Sequence, residues 1–230
     1  VARRIRQQGA MPRLDLPRLF AGSRFSVAAI VLGNLAPVFG VAFLGWDGAQ
    51  ILILYWFENL IVGALTLPRI LSARGRSTAA SAGQRAEAIG TGCFFMIHYG
   101  IFCLVHGAFA LALANDMAAV DGGGVTAGVW ERTISRSDFW WTVLAIALVH
   151  LIMHIRDWWL AGAWRGSSPM AEMFRPYGRI FVLHLTVLGG AWLMAALNAP
   201  SSALLILCFG KMALELVGLF VGGRIRGAPT

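Results

Sequence analysis

The 230-residue chain is 58% hydrophobic and only 13% charged, with a formal net charge of +8. A charged share about half the ~25% of an ordinary domain leaves too little polar surface for a soluble fold, and the apolar content is too high for disorder. The positive balance therefore points to basic segments flanking a bilayer rather than to nucleic acid.

In chain order, residues 1–24 read as a basic cytoplasmic tail containing six arginines. Val1 and Met11 are alternative start residues. No cleaved signal peptide is expected, because the first apolar run is long enough to remain as an anchor. Hydropathy then predicts an all-α bundle of six membrane-spanning helices over residues 25–222, each near the ~20 residues a bilayer core requires. The spans are Phe25–Leu44, Ala49–Leu67, Ala88–Ala112, Phe139–Ile155, Ile180–Leu197 and Ala203–Gly222. Residues 223–230 form a second basic tail. Long continuous runs without alternation favour helices over barrel strands. In span one, Asn34 and Pro37 mark an interhelical hydrogen bond and a kink. Residues 68–87 read as a flexible link, 113–138 as an outer loop, and 156–178 as a segment lying on the inner membrane face through Trp158, Trp159 and Trp164.

Arginine placement gives the orientation. Sixteen lie on one side of this layout, in the two tails and the segments after spans two and four, while only Arg132 and Arg136 lie on the other. That bias puts both termini in the cytoplasm. Trp140 and Trp141 fall where an outer aromatic belt belongs, and Trp158, Trp159 and Trp164 where an inner one belongs. Cys93, Cys103 and Cys208 sit in apolar runs without CxxC spacing, so they read as packing residues rather than a disulfide or zinc framework.

In lipid, the informative side chains are ionisable, since each costs ~2.5–3.5 kcal/mol near a helix centre. Span two carries Glu58, span three His98 and His106, span four His150 and His154, span five His184, and span six Lys211 and Glu215. At ~1.5 Å of rise per residue, His98, His150, His154, His184, Glu58 and Glu215 all fall in the inner half of the bilayer. His106 alone among the histidines falls in the outer half. His150 and His154 are one turn apart on one helix face, the spacing of a two-histidine metal clamp, although that spacing alone is a weak signal. His154 sits close enough to the headgroups to be hydrated. Lys211 needs a carboxylate, either Glu215 one turn away or Glu58 at similar depth on another helix. No nucleophile elbow, P-loop or HExxH is present.

Three motifs carry a resemblance: Tyr55-Trp56-Phe57-Glu58-Asn59, His98-Tyr99-Gly100-Ile101-Phe102-Cys103-Leu104-Val105-His106-Gly107, and Pro176-Tyr177-Gly178-Arg179-Ile180-Phe181-Val182-Leu183-His184. Together they resemble a bacterial family of multi-pass membrane proteins catalogued only as a domain of unknown function, over about residues 25–225. The resemblance implies a lysine followed four residues later by an acid in the last span, which Lys211 and Glu215 match. It also implies the bacterial cytoplasmic (inner) membrane as the location, and it names no reaction.

The leading functional expectation is an inner-leaflet site that binds a metal ion or haem b, or relays protons. His98, His150 and His184 are its ligands, with Glu58, Glu215, Lys211 and His106 as ion or proton partners. The competing readings are a small-solute carrier or channel switching on Glu58 and Lys211, and a non-catalytic membrane subunit partnered by another membrane protein.

Overall fold

The computed structural model describes residues 16–75, 81–120, 128–181, 208–213 and 216–217. All regular structure among them is helical. Helix α1 spans Leu16–Phe43, α2 Gly48–Ser72, α3 Ala82–Val120, α4 Val129–Ile134 and α5 Ser137–His154. A π-helical turn, Ile155–Leu160, continues α5, and a 3₁₀ turn, Ala163–Arg165, follows it. Helix α6 is described over residues 169–181, and residues 208–213 and 216–217 form the last helical segment among the described residues.

Among the described residues, three stretches are long and apolar enough to cross a membrane: Gly48–Ser72, Ala82–Asn115 and Ser137–Leu160; Val31–Phe43 is a shorter apolar helix. These correspond to expected spans two, three, four and one. Most of expected span five and much of span six lie outside the described residues.

Helix α2 is the centre of the fold, packed against α3 and α5. Its start is set locally. Asp47 accepts from the Gln50 backbone N–H at 3.1 Å while the Gln50 side chain accepts from the Asp47 N–H at 2.8 Å, a reciprocal cap on two otherwise orphan donors. The turn before it is stapled to α5: Trp46 Nε1 donates to Asp138 at 2.9 Å, and Arg136 donates to the Leu44 carbonyl at 2.7 Å. Ile51, Ile53, Leu54 and Tyr55 then pack with Phe139, Ile146 and Cys208, and further along Ile70 packs with Phe95, Tyr99, Cys103, Met173 and Ile180. Gly63 lets α3 approach closely, since a Cβ there would stand 2.4 Å from the Tyr99 ring. That ring cannot yield cheaply, because its hydroxyl donates to the Asn59 carbonyl at 2.9 Å.

The opposite faces of α3 and α5 are apolar but uncovered. Ile97, Ile101, Leu104 and Val105 on α3, and Leu144, Leu148 and Ile152 on α5, are all exposed. In water such a surface would drive association; against hydrocarbon it is the expected outer face of a membrane bundle. The apolar helices therefore point to a lipid bilayer as the surroundings.

Two segments differ from the sequence expectation. The outer loop is partly helical: α3 runs on to Val120, and α4 presents Trp130, which stacks on Phe57 with ring centroids 6.3 Å apart. A short aromatic-bearing helix is favoured there because it covers the apolar flank of α2. The inner aromatic belt also divides. Trp158 is wholly buried and donates to the Ser72 hydroxyl at 2.8 Å, whereas Trp159 is exposed. Extending α5 as a π-helical turn re-aims these indoles, and Gly162, at φ 73°, then turns the chain in a conformation that favours glycine. α1 passes through Pro37 as one helix. Cys103 and Cys208 are buried packing residues, as expected, whereas Cys93 is exposed.

Candidate functional site

Tyr55, Glu58 and Asn59 of the motif Tyr55-Trp56-Phe57-Glu58-Asn59 are buried on α2, and Glu58 is 6% exposed. Three basic side chains from three other segments reach it. Lys211 Nζ donates to Oε2 at 3.0 Å, Arg179 Nη2 donates to Oε1, and His150 Nε2 lies 3.4 Å from the same Oε1. His150 Nε2 is buried and makes no hydrogen bond, so its approach to Glu58 is within ion-pair reach but off the hydrogen-bonding line. Lys211 also donates to Asn34 Oδ1 at 3.1 Å and stands 4.7 Å above the Tyr55 ring, whose hydroxyl donates to Cys208 Sγ at 3.4 Å. Residues from α5, α6 and the last helical segment thus meet on one carboxylate of α2, and Asn34 of α1 joins them through Lys211. Removing these charges from water is costly, and only such mutual pairing makes their burial tolerable.

Of the two acids expected beside Lys211, Glu58 is in ion-pair contact with it at 3.0 Å. The hydrogen-bonding role expected of Asn34 holds. Arg179 was counted only among the cytoplasmic arginines, yet it shares Glu58 with Lys211. The available signal was its place inside the Pro176-to-His184 motif, one residue before a span. His184 and Glu215 lie outside the described residues.

The other histidines have separate surroundings. His98 is on the exposed side of α3, stacked on Phe94 at 5.3 Å, with Nδ1 2.6 Å from the Tyr177 hydroxyl. Burial pushes the Tyr177 hydroxyl above its ordinary pKa, so it stays protonated and can donate to that nitrogen. His106 is buried and stacked on Phe102, ring centroids 5.7 Å apart. His154 is buried instead of hydrated, because the π-helical turn folds Trp159 back over it: Arg69 Nε approaches Nδ1 at 3.2 Å and Trp159 Nε1 approaches Nε2 at 3.2 Å. A neutral imidazole carries one N–H, so it can accept from only one of these two donors. Among the described residues, no three His, Cys, Asp or Glu side chains stand close enough to hold a metal ion.

A second ionic cluster lies toward the far end of α2. Buried Glu172 on α6 faces Arg69 at 3.5 Å and Arg175 at 3.1 Å, and Arg69 also stacks over Trp158 at 5.3 Å. It ties α6 to α2 and so helps position Arg179, two turns further along, beside Glu58.

Comparison with known proteins adds a family and no activity. No curated protein and no solved structure matches the chain. The sequence model of the family of unknown function DUF6498 matches residues 18–227, nearly the whole chain. That match covers α1 to the last helical segment, including every described residue around Glu58, and the chain belongs to that family.

Proposed function

We propose that the chain is a six-span protein of the bacterial cytoplasmic membrane, with both termini cytoplasmic, and that its buried charged centre relays protons. The observation that carries this reading is Glu58 shared by Lys211, Arg179 and His150. Protonation of His150 would bring a third cation onto one carboxylate and weaken the hold of Glu58 on Lys211. Loss of that proton would restore the pair. Lys211 has a second acceptor in Asn34 at 3.1 Å, so a partial release need not strand its ammonium in the apolar interior.

The donor set supports proton chemistry over a metal or haem. Two permanent cations beside Glu58 would repel a metal ion there, and His98 and His150 are engaged by different partners, Tyr177 and Glu58. A shared ligand set of His98, His150 and His184 would require both to leave those partners.

Orientation is testable separately from activity. Reporter fusions after Arg74 and Arg165 should read cytoplasmic, and a fusion near Gly123 external. A single loop on the wrong side would sink the six-span arrangement.

For the relay itself, vesicles containing the purified protein and an internal pH dye should acidify faster under an imposed inside-negative potential than empty vesicles. His150→Gln should return the rate toward that of empty vesicles, while His98→Ala should leave it high. Wild-type vesicles no faster than empty ones would refute proton transfer through this centre.

A further inference from the structure

Most of the arginines near the ends of the helices are matched to acids. Glu172 serves Arg69 and Arg175, Asp138 serves Arg136, Asp157 serves Arg156, and Glu58 serves Arg179. Arg74, Arg85, Arg132 and Arg165 have no carboxylate partner among the described residues, and all but the exposed Arg132 on α4 gather at one place. Arg74 and Arg85 line a cleft of about 590 Å³ together with Leu71, Gln84, Trp159 and Trp164. Arg74 and Arg165 both stack on Trp164, 4.8 Å and 4.4 Å from the ring centroid. Two guanidinium groups on one indole, with no acid to neutralise them, leave a concentrated positive charge.

The cleft has a fixed frame. The Arg74 N–H donates to the Trp164 carbonyl at 3.0 Å, the Gly75 N–H to the Ser167 carbonyl at 2.8 Å, and Gln84 Nε2 to the Arg74 carbonyl at 3.4 Å. These bonds join the end of α2, the start of α3 and the segment after α5. Its depth is set by the same elements, because the cleft lies where the membrane-length helix α2 ends, at Ser72, and the membrane-length helix α3 begins, at Ala82. The arginines therefore stand at headgroup level, whichever way the protein faces. Leu71 and Ile89, which also line the cleft, are exposed apolar side chains. One end of the cleft suits an anion and the other an alkyl chain.

We propose that this cleft binds the phosphate of an anionic phospholipid, with Arg74 and Arg85 on the phosphate and an acyl chain along Leu71 and Ile89. Arginine suits the task because its planar fork bonds phosphate oxygens in pairs, and basic pockets between membrane helices favour such headgroups. The site is separate from Glu58 and does not depend on proton transfer.

Native mass spectrometry of the full chain, equilibrated with an equal mixture of phosphatidylglycerol and phosphatidylcholine, tests the assignment. Phosphatidylglycerol should be retained preferentially, and Arg74→Gln with Arg85→Gln should lower its retention roughly tenfold or more. Arg85 is exposed and its side chain makes no hydrogen bond among the described residues, so Arg85→Gln alone provides a well-folded variant and should also lower retention. Excess inorganic phosphate should not displace the lipid. Equal retention of the two lipids, or unchanged retention in both variants, would overturn the proposal. Binding of inorganic phosphate alone with the same arginine dependence would overturn the lipid as the source of the anion.

Discussion

Glu58→Gln should be the most damaging single substitution in the chain, at about 3–5 kcal/mol of stability, the usual cost of stranding buried charge. The carboxylate neutralises Lys211, whose side chain is 3% exposed, and Arg179, which is 24% exposed. Arg179 is the more exposed of the two, so the charge that loses most is that of Lys211. Lys211→Met should be milder, because Arg179 continues to pair with Oε1. Adding Lys211→Met to Glu58→Gln should recover part of the loss. Thermal unfolding in detergent measures all three variants. A double variant no more stable than Glu58→Gln alone would show that the Lys211 pairing does not hold this site together.

Glu172→Gln should be the next most costly, at roughly 1.5–3 kcal/mol for charge-assisted hydrogen bonds lost from a buried carboxylate. The figure is lower than for Glu58 because Arg175 is 39% exposed and remains solvated when its partner is neutralised. Arg69, at 15% exposed, is left beside Trp158 and His154 with only the more distant attraction of Asp157. Glu172 and Glu58 share no partner, and seven residues of α6, ~10 Å, separate Glu172 from Arg179. Glu58→Gln and Glu172→Gln should therefore add to within about 0.5 kcal/mol. A clearly smaller sum in the same unfolding assay would mean that α6 transmits strain between the two clusters.

Depth was readable from sequence, and it was enough to name Glu58, beside Glu215, as a candidate carboxylate for Lys211. Direction around a helix was not. His98 lies at a suitable depth on α3, but the buried row of that helix runs through Phe95, Tyr99, Cys103, His106 and Ala110, and His98 points away from it. Arg179 was missed for a related reason: an arginine just outside a span normally counts toward topology, and only the docking of α6 against α2 turns it inward. The burial of His154 depended on the π-helical turn after α5, which composition does not announce.

Composition, hydropathy and three motifs were sufficient, by themselves, to establish an all-helical chain rich in membrane-length apolar stretches, belonging to a family without an assigned activity. Those properties are local: an apolar run long enough for a bilayer must satisfy its backbone internally, and a buried charge announces its cost wherever it falls. Only the tertiary structure decided which basic groups share Glu58, that Glu172 anchors α6, and that Arg74, Arg85 and Arg165 gather without an acid. The reason is physical. α3 and α5 are apolar nearly all round, so no polar stripe marks which face turns inward. Partner choice then comes from packing such as that of Gly63 against Tyr99, and from charges that must find one another once the helices are assembled.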